Sequence, residues 1–165
     1  MKSKITNYLK EIALFFIVMA IFANLVSFYK SSDINQEPLK NITFTLMNGS
    51  IYNVQKGEPI LIHFWAPWCP ICKIEASNID FISQKYNVIT VAVQAKNEDA
   101  IHNFLAEHDV EFKVFNDKDG FLAREFKIAG YPTTLIYDRE KKLLFSEVGY
   151  TTTLGLWVRM WWAGF

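Results

Sequence analysis

The chain has 165 residues, with 17 basic and 17 acidic side chains and a formal net charge of zero. This length allows one domain and an appendage, and a hydrophobic content of 51%, with 16% aromatic residues, is enough for a packed core. A nucleic-acid-binding domain typically carries a basic excess, which this chain lacks, so we expect no nucleic-acid partner.

The first element in chain order is an apolar segment, residues 12–29, that contains no charged side chain. As a helix it would extend about 27 Å, close to the ~30 Å hydrocarbon core of a bilayer. Lys2, Lys4 and Lys10 precede it, and the positive-inside rule therefore predicts a cytoplasmic N-terminus at residues 1–11. We expect a single-pass anchor at 12–29 in the inner (cytoplasmic) membrane, with the following domain facing the periplasm or cell exterior.

A cleaved signal peptide is the alternative interpretation of the same segment. The apolar run is longer than the roughly 7–15 residues of a signal-peptide core, and no clear A-x-A cleavage site follows it, which favours the anchor. Both interpretations deliver the rest of the chain to an oxidising compartment, where cysteine pairs are used.

The remaining sequence predicts a polar linker at 30–38 and one domain at 39–165. Asn48-Gly49 is a strong hairpin signal between two short apolar segments. The predicted elements are strands 42–46, 51–54, 60–65 and 88–93, helices 70–86 and 98–108, a turn at 116–120, a short helix 121–126, a hairpin of strands 133–137 and 142–148, and a last helix beginning near 151–153. This order predicts an α/β fold with a central mixed sheet flanked by helices.

Both cysteines of the chain, Cys69 and Cys72, lie between a predicted strand and a predicted helix. Unpaired N–H groups and the helix dipole favour a thiolate at the first of them, and the pKa of such thiols falls from about 8.5 to roughly 3.5–7.5. Pro70 suits the first helical turn, where its missing N–H has no acceptor. The pattern predicts a catalytic, redox-active disulfide, Cys69–Cys72.

Metal binding is the other interpretation of a cysteine pair. A structural zinc site needs about four ligands, and His63, His102 and His108 are not at ligand spacing from the cysteines. We therefore expect no zinc and no other cofactor. A copper(I)-binding module that uses the same two soft thiolates remains the alternative function.

Two segments in the same order resemble thioredoxin-fold proteins over about residues 40–162. The segment from Phe64 to Lys73 is similar to the active-site segment of that family, and Gly130 to Thr134 resembles its cis-proline loop. Glu75, three residues after Cys72, is typical of the TlpA-type branch, which consists of membrane-anchored, extracytoplasmic thiol–disulfide oxidoreductases. Residues 156–163 resemble a subgroup described as suppressors of copper sensitivity or protein disulfide oxidoreductases.

Thiol peroxidases share the fold and carry a threonine three residues before the reactive cysteine. Neither cysteine of this chain has a threonine at that position.

The resemblance implies a thioredoxin-like domain that exchanges disulfides with partner proteins, in either direction, and a membrane-embedded electron donor or acceptor. Cys69 would attack and Cys72 would resolve the mixed disulfide. A cis peptide bond before Pro132 would present the Tyr131 backbone to an extended substrate segment. Trp65 and Trp68 would form an apolar rim around the sulfurs.

Two acid–base candidates have alternative interpretations. By the resemblance, Glu75 is a buried acid that tunes the second cysteine, and otherwise it is a surface residue of the helix. His63 stands six residues before Cys69, where thioredoxin has a buried aspartate and the TlpA-type branch often has asparagine. It either relays protons to Cys72 or is a satisfied strand histidine. In the last helix, the spacing of Trp157, Met160 and Trp161 favours core positions over a partner or membrane surface.

Overall fold

The computed structural model describes residues 10–12, 14, 15, 18, 34, 37–39 and 42–165. The predicted anchor at 12–29 lies mostly outside this part of the chain, as does most of the predicted linker. Within the described residues, no helix is both long enough and apolar enough to cross a membrane. Ile34, inside the predicted linker, is buried against the domain.

The domain contains seven strands and four helices among the described residues from 42 onward. In chain order they are β1 (Thr43–Thr45), β2 (Ile51–Asn53), β3 (Ile60–Trp65), α1 (Pro70–Ser83), β4 (Asn87–Val93), α2 (Glu98–His108), β5 (Val114–Asp117), α3 (Phe121–Glu125), β6 (Thr133–Tyr137), β7 (Leu143–Val148) and α4 (Thr153–Ala163).

A five-stranded mixed sheet with the order β5-β4-β3-β6-β7 forms the centre of the domain, and β1 and β2 pair as a separate hairpin. The β3–β4 and β4–β5 pairs are parallel, whereas β6 runs antiparallel to both β3 and β7. Every residue of β3 is buried, as expected for a strand covered on both faces. The predicted fold class is therefore confirmed for this domain.

Alternate residues of β3 face two different hydrophobic clusters. Leu61 and Trp65 pack with buried residues of α1, α2 and α4. Ile60, Ile62 and Phe64 belong to a cluster that includes residues of the β1–β2 hairpin and α3. Because side chains alternate along a strand, His63 lies on the α1 face with Leu61 and Trp65.

Most predicted elements are found within a few residues of their expected ends, and β5 is the exception. Residues 116–120 were expected to form a turn, but Asn116 and Asp117 end β5, which pairs in parallel with β4. Polar residues of this kind disfavour strands locally. The pairing with a buried neighbouring strand outweighs that preference.

The sequence interpretation of α4 is only partly correct. Leu156, Met160 and Ala163 form its buried stripe, whereas Trp157 and Trp161 are 40% and 48% exposed. The helix is apolar on both faces, so periodicity alone could not identify which face meets the sheet. The Thr152 side chain caps the helix by accepting the Gly155 N–H at 3.1 Å.

Candidate active site

Cys69 and Cys72 form a disulfide at the point where β3 gives way to α1, with a Cα–Cα distance of 5.3 Å. Cys69 is the N-cap residue of α1, and its sulfur accepts the Cys72 backbone N–H at 3.2 Å. Cys69 is 4% exposed and Cys72 is 1% exposed. The Cys72 N–H and the positive end of the helix dipole would both stabilise a negative charge on the Cys69 sulfur.

The loop before β6 lies beside the cysteines. The Tyr131–Pro132 peptide bond is cis, as the resemblance to thioredoxin-fold proteins implied. Thr133 pairs with Phe64 near the end of β3, which brings this loop to the sheet edge from which the Cys69 segment emerges. The Tyr131 ring meets the Trp68 ring edge to face, with centroids 5.9 Å apart.

The two tryptophans beside the cysteines have different environments. Trp68 is 59% exposed, but Trp65 is only 1% exposed. The Trp65 ring packs on Phe104 and Phe112 of the core, with centroid distances of 4.2 and 5.9 Å. Trp65 is thus a core residue under the site and not part of its rim, because the strand alternation directs its side chain inward.

Glu75 lies one helical turn after Cys72 and is fully buried. Its Oε1 accepts the Thr151 backbone N–H at 2.8 Å, while Oε2 has no hydrogen-bond partner among the described residues. Burial raises the pKa of this carboxyl to about 8, although the Thr151 N–H acts in the opposite direction. The prediction of a buried acid is correct, and the surface alternative is wrong.

His63 is also buried, at 2% exposure. Its Nδ1 lies 2.9 Å from Thr134 Oγ1, and its Nε2 lies 4.0 Å from Glu75 Oε2. Burial lowers the pKa of the imidazole to about 3. Near neutral pH both members of the pair are uncharged, since desolvation disfavours each ion and 4.0 Å is too long for a hydrogen bond.

The positions of His63 and Glu75 change which of the two is expected to accept a proton. His63 lies beneath α1, as the alternation of β3 predicts, but an imidazole with a pKa near 3 is a poor proton acceptor at pH 7. Glu75 is the group whose pKa, about 8, is close to the ordinary pKa of a thiol. The sequence did not indicate the contact of Thr134 with His63 or of Thr151 with Glu75, because these residues lie far apart in the chain and meet only through β6 and the start of α4.

The other two histidines lie on α2. His102 is exposed, whereas the His108 ring is half-buried and stacks on Phe104 with centroids 4.5 Å apart. Within the part of the chain that the structure describes, no group of three His, Cys, Asp or Glu side chains is arranged to hold a metal ion.

An exposed apolar surface adjoins the disulfide and was not recognised from the sequence. Ile71 and Ile74 on α1 are 43% and 64% exposed. The buried stripe of α1 runs instead through Cys72, Glu75, Ala76, Ile79 and Ile82. With Trp68, the two isoleucines form an apolar surface at the mouth of the site.

The fold and the disulfide define a thioredoxin-like protein with an active-site cysteine pair. The sequence model of the AhpC/TSA family matches residues 38–146, and the chain belongs to this family.

A thioredoxin-like protein of Haemophilus influenzae is 26% identical over 98% of both chains. The thiol-disulfide oxidoreductase ResA of Bacillus thuringiensis is 29% identical over 59% of this chain, which spans 58% of that relative's length. Among solved structures, a protein described as the thiol:disulfide interchange protein DsbE of Chlorobium tepidum is 26% identical, with a TM-score of 0.69 over 79% of this chain and 99% of that one. The cysteine geometry and these similarities together make the chain a protein thiol–disulfide oxidoreductase.

Proposed function

We propose that the chain exchanges disulfides with partner proteins outside the cytoplasm, with Cys69 as the attacking residue and Cys72 as the resolving residue. The observation that carries this assignment is the position of Cys69 as the N-cap of α1, where its sulfur accepts the Cys72 N–H.

In the reducing direction, the Cys69 thiolate attacks one sulfur of a partner disulfide and releases the other as a thiolate. Cys72 then attacks the Cys69 sulfur, which closes the Cys69–Cys72 disulfide and releases the second partner thiol. The partner gains two electrons and the cysteine pair loses two. The same steps in reverse oxidise a partner, and a membrane-embedded donor or acceptor would restore the starting state.

The resolving step requires Cys72 to lose its proton. We assign the acceptor as the ionised form of Glu75, which a pKa of about 8 makes the minor form at pH 7 and the major form above pH 8. Glu75 follows Cys72 by one turn on the same buried stripe of α1. Its pKa of about 8 is close to that of an ordinary thiol, so proton transfer between them is nearly balanced in energy. His63 is a positioning residue in this scheme, since its ring fills the space beside Glu75 Oε2.

The substrate would bind at the mouth of the site. Trp68, Ile71 and Ile74 offer apolar contacts to an extended partner segment, and the backbone around Tyr131 offers main-chain hydrogen bonds. This arrangement suits unfolded or flexible protein chains, because an extended segment can make the apolar and the main-chain contacts together.

The proposed location is extracytoplasmic, with residues 12–29 as an inner-membrane anchor. The uncharged apolar run and the preceding lysines support it, and the activity fits an oxidising compartment. Protease added to intact spheroplasts is expected to remove the domain. Protection until lysis would contradict this topology.

A disulfide-exchange assay tests the activity. Reduced protein should reduce insulin disulfides, and Cys69→Ser should abolish the reaction. Stoichiometric copper(I) binding at the two cysteines without any disulfide exchange would select the metal-binding alternative.

A further inference from the structure

We propose that the end of the domain opposite the disulfide rests on the surface of an anionic phospholipid bilayer, so that the active site faces away from the membrane. This inference depends on the proposed anchor at 12–29. The proposed contact is called the basal surface, and its residues are Lys85, Lys113, Arg139, Trp161, Trp162 and Phe165.

The sheet topology places this surface far from the cysteines. Ile60 at the start of β3 pairs with Asn87 at the start of β4 and with Tyr137 at the end of β6. Cys69 follows the other end of β3. Six residues of strand separate the two edges, which corresponds to roughly 20 Å.

The aromatic part of the basal surface comes from the end of α4. Trp161, Trp162 and Phe165 are 48%, 63% and 87% exposed, and the Trp161 and Phe165 rings meet edge to face with centroids 4.7 Å apart. The buried stripe of α4 already provides its contact with the sheet. Exposed tryptophan rings of this kind are favoured at the interface between lipid and water, where the ring is apolar and its N–H is hydrated.

Cationic side chains share a cavity with two of these aromatic residues. An open cavity of about 670 Å³ is lined by Trp161 and Phe165 together with Lys85, Lys113 and Arg139. Among the residues that the structure describes, Glu58 is the one carboxylate in its lining, so the charged side chains there sum to +2, from three cations and one anion. On an anionic bilayer, the lysine and arginine side chains would contact the lipid headgroups, and the aromatic rings would lie at the boundary with the acyl chains.

The chain also enters the domain at this end. The Leu39 N–H donates to the Lys141 carbonyl at 2.8 Å, and Lys141 lies just after β6 in the turn that contains Arg139. Lys141 Nζ donates to the Glu58 carbonyl, which holds this turn to the start of β3. Residues 30–38 can extend at most about 30 Å, so an anchor ending at residue 29 would hold this end of the domain within about 30 Å of the bilayer.

Tryptophan emission provides a direct test in the full chain, because residues 1–38 contain no tryptophan. Oxidised protein is reconstituted into vesicles of phosphatidylcholine and phosphatidylglycerol, at about a 7:3 ratio, that carry a nitroxide quencher on the lipid headgroup. The wild-type emission should be partly quenched. The double variant Trp161→Phe/Trp162→Phe should lose most of the quenching, with insulin reduction unchanged as the check on folding.

Trp68→Phe is the matched control, since it removes an exposed tryptophan at the opposite end of the domain. Its quenched fraction should rise, because an unquenched emitter is lost. The triple variant Lys85→Ser/Lys113→Ser/Arg139→Ser should reduce quenching in the same vesicles, as should vesicles of phosphatidylcholine alone.

Three results would overturn the inference. Quenching that disappears in Trp68→Phe would place the active site at the membrane. Vesicle-bound protein with no quenching would show that the basal surface is free or covered by another protein, and a dimer dissociated by Trp161→Glu would identify a second copy. Failure of the protein to bind vesicles at all would contradict both the anchor and the membrane contact. Insulin reduction by the same protein would still test the proposed oxidoreductase activity separately.

Discussion

His63 Nε2 lies 4.0 Å from Glu75 Oε2 beneath the active-site helix, and both side chains are buried and uncharged near neutral pH. Burial shifts their pKa values in opposite senses, to about 3 for His63 and about 8 for Glu75. A buried pair of this kind stays neutral over a broad pH range, yet one member ionises close to the pKa of a thiol.

The first prediction concerns the two cysteines. Cys72→Ser should accumulate mixed disulfides with partner proteins through Cys69, since the resolving thiol is missing. Cys69→Ser should trap none, because Cys72 lies inside α1 and not at its N-cap, where the helix dipole favours a thiolate. Non-reducing gels followed by mass spectrometry would identify the bonded residue, and equal trapping by both variants would refute the assigned roles.

The second prediction is a pH dependence of stability. Glu75 has its pKa raised from 4.5 to about 8 by folding, so stability falls as pH rises from about 4.5 through 8. His63 has its pKa lowered from 6.5 to about 3, so stability also falls as pH drops from about 6.5 through 3. The two slopes oppose each other between about 4.5 and 6.5, and we expect a plateau there.

Glu75→Gln should remove the alkaline slope, which is at most about 1.4 kcal/mol per pH unit, while its amide oxygen can still accept the Thr151 N–H. Denaturant unfolding of the oxidised protein at several pH values measures the free energy of unfolding. An alkaline slope of the same size in the variant and in wild type would show that Glu75 ionises normally in the folded protein.

The third prediction separates Glu75 from His63 in the resolving step. Glu75→Gln should slow the release of a model partner from its mixed disulfide, by at most the ~10²–10⁴-fold range of general base catalysis. His63→Asn should have a smaller effect and keep the same pH midpoint, because the imidazole does not titrate near neutral pH. Stopped-flow measurement from pH 5 to 9 gives both profiles. Loss of a step between about 5.5 and 7.5 in His63→Asn would identify the imidazole as the acceptor instead.

The fourth prediction concerns the contact between α1 and the start of α4. Asn78 Nδ2 donates to the Thr151 carbonyl at 3.0 Å and to the Tyr150 hydroxyl at 3.1 Å, and its Oδ1 accepts from Thr153 Oγ1 at 2.8 Å. Asn78→Ala should therefore destabilise the domain by about 1–2 kcal/mol. Asn103→Ala, an exposed position of α2, is the matched control. Equal destabilisation by the two variants in thermal unfolding would show that the hydrogen bonds contribute little.

Local sequence signals predicted much of the domain. The alternation and apolar runs placed β3, β4 and β6, and the strand-to-helix cysteine pair identified the active-site segment. The buried environment of Glu75 was expected only from a family resemblance, since Glu75 is one of many acidic residues in the chain. The short strand β5 was missed because its partner β4, and not its own composition, stabilises it.

The sequence by itself predicted the redox-active cysteine pair, because Cys69 and Cys72 are separated by two residues at a predicted strand-to-helix junction, where the helix N-terminus favours a thiolate. Only the tertiary structure decided which groups are buried. Packing of β3 beneath α1 brings His63 to Glu75, and the start of α4 supplies the Thr151 N–H to the same carboxyl. Tertiary packing also buries Trp65 and leaves Trp161 exposed. Burial depends on contacts between residues distant in the chain, and it is burial that sets these pKa values.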